Sequence, residues 1–419
     1  MSSAFPFDVI DLIIDIIGEN NDTDLLKELS LVSHSFHQIC SKHLFATIVL
    51  QDVGQDQHIA SSKKGFVKLL GSRPDVVKYI RKLTYICNDM LSPPKGPNDH
   101  LLSTKLPKLL RTISHLNHLK ITTSADSQSD WNTLDSSLTS AFLYLMHLPT
   151  INHIDLSSIE NFPLSNFTSS PNLHRLDIEY LRRFDRPGPE EPDQFSSEIV
   201  ILSETTAKIR EFHTLSSIRV TTKLLLAKRQ DGLPAFDFMD LRRLFICLGD
   251  ERNIQYLLQN ATSLEKLHLS VGSAHGLLRL RDILSSGTRA LKALGFTVSA
   301  SLLYISLNLR LAGLCEGLEA MAGHNMLEAL SIDLHVDDQE ETEDSVGSEV
   351  RRIEEVLVKP GWSALKQVSF KITLIHWGTG PNLELYKALE QTIPDKYLNH
   401  LSKLESVTFD FSVTSFSDY

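Results

Sequence analysis

The sequence of 419 residues lacks the short motifs that mark the common enzyme classes. It contains no GxSxG, GxxxxGK[ST] or HExxH motif, and no GxGxxG motif follows a predicted strand. No run of about 18 uncharged apolar residues occurs, so we expect no membrane span. These absences favour a non-catalytic protein, although a hydrolase of unrecognised type stays open as an alternative.

Cysteine is scarce, and four residues make up the whole set: Cys40, Cys87, Cys247 and Cys315. They are too scattered for a CxxC metal site and too few for a disulfide scaffold. The histidine pairs His34/His37 and His115/His118 lack cysteine or carboxylate companions at ligand spacing. We therefore expect no metal, no cofactor and a reducing compartment, which is the cytoplasm or the nucleus.

Positive charge is also in short supply. Lys and Arg number 41 against 52 Asp and Glu, which gives a formal net charge of −11. Proteins that coat nucleic acids draw their affinity from clustered basic residues, so no nucleic-acid partner is expected. The N-terminal residues MSSAFPFD lack the basic segment of a secretory signal.

Aliphatic residues, in contrast, are concentrated at the start of the chain, in FPFDVIDLIIDII (residues 5–17). Pro6 favours the start of a helix, and Asp8, Asp11 and Asp15 recur at a spacing that places them in one stripe. The other side chains are aliphatic and cover far more than the apolar face of about 100° that a surface helix shows. Such a helix needs cover on two sides. Either the rest of this chain or a second protein covers the outer side.

Two further helices are predicted before residue 50. Asp22 or Thr23 is placed to cap the second helix, and Ser33 is placed to cap the third. Three helices in about forty residues form a domain too small to bury this much aliphatic surface alone. The pattern therefore favours a partner protein.

These residues, FPFDVIDLIIDII…LLKELSLVSHSFHQICSKHLFATIVL, resemble the F-box, and in particular its fungal members. Phe5 and Pro6 stand where that family has Leu-Pro, while Phe36 stands where it has a tryptophan. The resemblance implies a domain over residues 1–50 that binds a Skp-type adaptor, and through it a cullin, in a ubiquitin ligase. It implies adaptor contacts from this set: Pro6, Val9, Ile10, Ile13, Leu29 and Val32.

After residue 50 a phrase recurs: an aliphatic residue, two others, an aliphatic residue, one other, and an apolar residue. Its copies begin at Ile80, Leu116, Ile151, Leu173, Leu215, Leu241, Leu264, Leu291, Leu327, Leu365 and Leu404. The phrase predicts a short strand whose fourth and sixth residues point into the core. Helical runs precede most copies, so strand and helix alternate.

This alternation predicts an α/β fold in which about eleven strand units over residues 51–419 stack as a curved parallel sheet with helices outside. It resembles an irregular leucine-rich-repeat solenoid of the kind attached to F-boxes. Several small α/β domains are the alternative. Residues 88–99, 185–194 and 333–349 are expected to be surface loops, because the first two are rich in proline and the third is densely acidic.

Basic residues gather at outward strand positions in the middle of the repeats. The candidate client-binding set is Arg175, Arg219, Arg243, Phe245, Lys266 and His268. Guanidinium groups match carboxylate and phosphate, so this surface suits an acidic or phosphorylated protein segment. Solvated strand residues paired with Asp177 and Glu179 are the alternative.

Taken with the F-box resemblance, these features imply a substrate-recruiting subunit, in which the repeats bind a protein client and other subunits transfer ubiquitin. The alternative is a leucine-rich scaffold outside any ligase, whose N-terminal helices cap the solenoid. A cap packs on the first repeat and exposes little aliphatic surface, whereas an F-box leaves an apolar surface uncovered.

Overall fold

The computed structural model describes residues 7–20, 22–51, 63–87, 99–123, 129–167, 171–179, 199–201, 205–215, 218–247, 251–271, 280–285, 290–299, 307–323, 326–338, 341–377 and 382–418. The chain forms two compact units. The first comprises Met1–Ala207 and Leu226–Phe236, and the second comprises Lys208–Leu225 and Asp237–Tyr419. Within the described ranges, every helix is too short or too polar to span a lipid bilayer. The expected domain boundary after residue 50 stays a prediction.

The first unit begins with three helices, as the sequence predicts: α1 (Phe7–Glu19), α2 (Thr23–Ser30) and α3 (His34–Leu44). Both predicted caps are present. The Asp22 carboxylate accepts from the Leu25 N–H at 3.1 Å, and the Ser33 hydroxyl accepts from the Phe36 N–H at 3.3 Å. Each satisfies a backbone donor that has no partner within its helix.

A parallel sheet follows in the first unit, in the order β1 (Thr47–Leu50), β2 (Lys82–Cys87), β3 (His118–Thr123), β5 (His153–Ser157) and β7 (Arg175–Glu179). Short parallel pairs join β4 (Ser129–Asp130) to β6 (Ile159–Glu160) and β8 (Val200–Ile201) to β11 (Lys228–Arg229). The helices between the sheet strands are α4 (Lys63–Ser72), α5 (Asp99–Leu110) and α6 (Ser136–Met146). No copy of the repeated phrase predicted strand β1. Two-residue strands β9 (Ala207–Lys208) and β12 (Phe236–Asp237) lie where the chain passes between the units.

The second unit has its own parallel sheet, in the order β10 (Glu211–Thr214), β13 (Arg243–Cys247), β14 (Lys266–Val271), β15 (Ala293–Ser299), β16 (Ala329–Asp337), β17 (Gln367–Trp377) and β18 (Thr408–Asp418). Its helices are α7 (Ile218–Leu225), α8 (Glu251–Asn260), α9 (Leu280–Ser285), α10 (Leu307–Met321), α11 (Glu343–Leu357) and α12 (Leu383–Thr392). Each unit is therefore α/β with a parallel sheet, as predicted at the level of fold class.

The phrase marks the strands because its apolar positions alternate with exposed ones. In β14, Leu267 and Leu269 are buried, whereas Lys266 is exposed and His268 is half-buried. The same alternation holds at β2, β3 and β13. Parallel strands pair in register, so within each unit the buried positions of neighbouring strands line up on one side of that unit's sheet.

The copy from Leu215 is not a strand. Residues from Ile218 onward form α7, whose buried side chains Thr221, Leu224 and Leu225 follow helical spacing. The strand of this repeat, β10, begins earlier, at Glu211. It was missed because Thr214 stands where the phrase requires an apolar residue. This buried hydroxyl lies 3.2 Å from the Thr221 hydroxyl.

The copy from Leu404 predicted the wrong register. Thr408, not Ser406, pairs with Gln367 of the preceding strand, so the strand begins two residues later than expected. A short helical turn at Leu401–Lys403 continues into a turn that takes up the intervening residues.

Most of the described part of segment 333–349 is strand or helix and not a surface loop, contrary to expectation. Its first part completes β16, and its last part begins α11. The acidic residues fit these places because Glu343 and Asp344 lie in the first turn of the helix, where the helix dipole favours negative charge. Thr342 and Ser345 form a reciprocal capping box before them. The other two expected loops lie outside the described residues, except that Asp99 starts α5.

Candidate partner-binding surfaces

The side chains of helix α1 fall on three faces, because successive residues of a helix are rotated by about 100°. Ile10, Ile14 and Ile17 form the inner face. Ile14 is buried in a small core, which also contains Leu26, Leu29, Phe36, Ile39, Cys40 and Leu44. The three N-terminal helices therefore share a core that uses only one side of α1.

The second face of α1 is acidic and lies against α3. Lys42 Nζ is 2.9 Å from Asp11 Oδ1 and 2.7 Å from Asp15 Oδ1. His43 Nε2 is also 2.7 Å from Asp15 Oδ1. The hydrogen bond from Lys42 is the main reason that the pKa of Asp15 lies below its ordinary value. These contacts fix the rotation of α1 about its axis.

The third face of α1 points outward and carries aliphatic side chains. Val9, Leu12, Ile13 and Ile16 are 38%, 59%, 45% and 50% exposed. Leu25, Leu31 and Val32, on α2 and the turn after it, are also exposed. We call these seven residues the outer aliphatic set. Among the described residues, they account for seven of the eighteen large hydrophobic side chains that are exposed.

The predicted adaptor contacts divide between the outer set and the core. Val9, Ile13 and Val32 are exposed, whereas Ile10 and Leu29 are partly buried against the internal cluster. Pro6 lies outside the described residues. Sequence reasoning missed Leu12, Ile16, Leu25 and Leu31. The spacing 9, 12, 13 and 16 was the available signal, because these positions share one helical face.

The N-terminal helices connect to the sheet through α3 and β1. The Ala46 carbonyl accepts from the N–H groups of Arg81 and Lys82 at 2.9 and 2.8 Å, just before β2. His37 Nε2 lies 3.2 Å from Arg73 Nη1. These contacts between the N-terminal helices and the rest of the unit are made by α3 and by Ala46, which lies just after α3. None of these contacts involves the outer face of α1.

The candidate client-binding residues are divided between a helix and the sheets of the two units. Arg219 lies in helix α7 rather than in a strand, so its predicted place in the sheet is wrong. Arg175 belongs to the first unit, where its Nη2 donates to Asp177 Oδ2 at 2.9 Å. Burial raises the pKa of the Asp177 carboxyl, but hydrogen bonds from His153 and Arg175 outweigh it and lower that pKa to about 2. Arg175 is therefore paired, as the alternative interpretation predicted.

The other four candidates are neighbours in the second unit. Arg243 pairs in register with Lys266, and Phe245 pairs with His268. The Phe245 and His268 rings are stacked at a centroid distance of 4.2 Å with an interplanar angle of 5°. Arg243 is exposed and lies 3.3 Å from Glu211. The two strands thus present an aromatic pair beside two basic side chains.

Two arginines that the sequence analysis omitted lie directly before the outward positions of these strands. Arg210 and Arg242 are exposed at the N-terminal ends of β10 and β13, where the Arg210 carbonyl accepts from the Arg242 N–H at 2.8 Å. Arg210, Arg242 and Lys266 make no ion pair with any described residue. Arg242 is the second residue of the phrase from Leu241, so reading second positions would have found it, whereas Arg210 lies in no copy of the phrase.

His268 contributes a neutral ring to this surface. Burial and, to a smaller extent, the charge of His213 lower its pKa to about 4. Its Nε2 lies 2.9 Å from Thr297 Oγ1, which fixes the plane of the ring. The charge of the surface near pH 7 therefore comes from the arginines and the lysine.

The histidine pairs noted in the sequence have other contacts. His37 Nε2 is bonded to Arg73, and the His118 ring stacks on His153. In the part of the chain that the structure describes, no group of three or more His, Cys, Asp or Glu side chains is placed to hold a metal ion.

No protein-family model matches the chain, and no curated protein sequence matches it significantly. A functional assignment therefore rests on the surfaces described above and on the resemblance of the first fifty residues.

Proposed function

We propose that this protein is a substrate-recruiting subunit of a Skp–cullin–F-box type ubiquitin ligase and performs no catalysis itself. The exposure of the outer aliphatic set carries the proposal. These side chains lie uncovered on the side of α1 on which an F-box would contact its adaptor. If three or four of these side chains face the adaptor, their burial contributes about 5–12 kcal/mol before the costs of association.

The repeats are proposed to be an irregular leucine-rich-repeat solenoid that presents the client. In-register parallel pairing of successive strands, each following a helix, supports this proposal. A cytoplasmic or nuclear location is proposed as well, since none of the four cysteines, all of which the structure describes, forms a disulfide.

The client is proposed to bind the second unit at Arg210, Arg242, Arg243, Phe245, Lys266 and His268. The exposed cations would attract an acidic or phosphorylated segment, while the aromatic pair would contact its side chains. Arg175 and Arg219 are left out, because the first is bonded to Asp177 and the second lies on a helix.

Co-purification tests the ligase proposal. A tagged full-length chain should retain a Skp-type adaptor and a cullin, and Ile13→Asp combined with Ile16→Asp should lose both. Deleting residues 1–50 is a poorer test, because it also removes β1 and exposes the edge of β2. Retention of the adaptor by the doubly substituted chain would exclude binding through α1.

One observation favours the alternative function, a leucine-rich scaffold with an N-terminal helical cap. Strand β1 extends the sheet directly from α3, which is how a cap would join a solenoid. A cap does not need the exposed side chains of α1. The scaffold therefore predicts that acidic substitution there leaves every interaction of the protein unchanged.

A further inference from the structure

Among the described strands of the second unit, β18 is the last of the sheet and has a partner strand on one side. It pairs with β17 residue by residue, from Gln367 with Thr408 to Trp377 with Asp418. In the described part of the chain, no strand pairs with its other side. An unpaired strand edge offers backbone donors and acceptors to another extended segment.

Several of the features by which proteins protect such edges are missing from β18. Its sequence, TFDFSVTSFSD, contains no lysine, proline or glycine, and its register with β17 shows no bulge. At 11 residues it is about twice the mean strand length. Apart from the negative charge of Asp410 and Asp418, nothing in its sequence or pairing opposes a further strand.

The backbone orientation shows which groups are available. The Thr408 N–H donates to the Lys366 carbonyl at 2.7 Å, so the backbone groups of Thr408 face the sheet. Alternate residues of a parallel strand face opposite sides, which directs the backbone groups of Phe409, Phe411 and Val413 outward. The Val413 carbonyl accepts from Tyr386 Oη at 3.1 Å. The open stretch is therefore Thr408–Ser412.

The apolar layer is also incomplete at this edge. Phe409 and Phe411 pair with Val368 and Phe370 of β17, which are fully buried. Phe409 and Phe411 are only half-buried, although they belong to the same layer. A further strand with apolar residues on this side would cover them.

The opposite face of the open stretch is acidic. Asp410 is exposed, forms no ion pair with any described residue, and has one long hydrogen bond, from Gln367 Nε2 at 3.4 Å. The nearest lysine of β17, Lys371, is directed to Asp333 on the next strand. The whole chain carries a formal charge of −11, which disfavours a second copy and favours a basic partner.

We propose that Thr408–Ser412 is a peptide-binding edge, where an extended segment of a partner protein adds a strand to the sheet. In the partner segment, alternate residues are apolar and cover Phe409 and Phe411. The partner residue between two such apolar residues is Lys or Arg and faces Asp410. Backbone hydrogen bonds supply affinity and the alternation supplies specificity. This site is independent of adaptor binding by the N-terminal helices and of the basic surface on β13 and β14.

Calorimetric titration of the full-length chain with three blocked peptides tests the proposal. The probes are Thr-Val-Lys-Val-Lys-Val-Thr, the same peptide with Glu for Lys, and the lysine peptide with N-methylated valines. The wild-type chain should bind the lysine peptide about fivefold more tightly than the glutamate peptide, as expected for one exposed ion pair. Asp410→Lys should reverse that preference, and N-methylation should abolish binding because it blocks the backbone ladder.

Asp240→Lys is the matched control, since Asp240 is an exposed aspartate in the same unit that precedes β13. It changes the net charge equally and should leave the preference unchanged. Equal effects of the two substitutions, or binding of the N-methylated peptide, would overturn the proposal. Concentration-dependent dimers that Asp410→Lys dissolves would show a second copy at the edge, and would overturn it too.

Discussion

The His118 and His153 rings are stacked in the first unit, at a centroid distance of 3.8 Å and an interplanar angle of 13°. His153 Nε2 lies 2.9 Å from Asp177 Oδ2, whereas His118 Nε2 is buried and has no hydrogen-bond partner among the residues that the structure describes. Burial, followed by the charge of His153, lowers the pKa of His118 to about 4. The fold therefore holds His118 neutral beside a ring that is bonded to a carboxylate.

This relationship predicts that the protein becomes less stable toward unfolding as the pH falls. The pKa of His118 in the folded state is below the unfolded value of 6.5, so its contribution to stability is complete above pH 6.5 and is lost as pH falls toward 4. The loss is at most about 1.4 kcal/mol per pH unit. Urea unfolding between pH 7 and pH 4.5 should show a smaller pH dependence for His118→Phe than for the wild type. His147→Phe, at an exposed position after α6, is the control, and an unchanged dependence in both variants would contradict this account.

A second prediction concerns Glu354, which is 4% exposed. Its carboxylate accepts from the backbone N–H groups of His400 at 2.7 Å and Leu401 at 3.1 Å, and so joins α11 to the turn before β18. Glu354→Ala should lower the free energy of unfolding by about 2–4 kcal/mol, because buried donors lose their acceptor. Glu355→Ala, exposed on the same helix, should change it by less than about 0.5 kcal/mol. Similar midpoints in chemical denaturation for the two variants would refute the role of Glu354.

Alanine substitution of two helical glycines should change the melting temperature in opposite directions. A Cβ on Gly347 in α11 would overlap the Tyr397 ring, whereas a Cβ on Gly71 in α4 would meet nothing within 4 Å. Alanine in an open helical position stabilises a protein by about 0.5–1 kcal/mol, so Gly71→Ala should raise the melting temperature. Gly347→Ala should lower it, because the ring must move. Differential scanning calorimetry of both variants checks this, and a rise for Gly347→Ala would show that the ring moves freely.

The sequence predicted most strands because their apolar residues alternate with exposed ones in a repeated phrase. It failed where a polar pair replaces an apolar contact, as Thr214 and Thr221 do, and where the turn after Leu401 shifts the register. The acidic run after Asp333 was misjudged, because charge density was taken as a sign of a loop. Instead, the cap at Thr342 and the helix dipole allow the acidic residues Glu343 and Asp344 to begin a helix.

The candidate surfaces were predictable in type and less so by residue. Aliphatic residues on nearly all sides of α1 indicated an uncovered face, but only the packing of Ile14 against Leu26 and Ile39 shows which face is internal. At the client surface, the pairing of Arg175 with Asp177 was predicted as the alternative, because residues two apart lie on one face of a strand. The position of Arg219 on a helix was not predicted.

Titration calorimetry with a purified Skp-type adaptor tests the central claim most directly. Leu12→Asp should weaken binding at least about tenfold, because it places a charge in the proposed apolar contact. Leu383→Asp is the matched control: Leu12 is 59% exposed and Leu383, at the first position of α12, is 61% exposed. The account predicts nanomolar to micromolar binding by the wild type and the control and loss by Leu12→Asp. Equal affinities for all three, or no binding by the wild type, would contradict it.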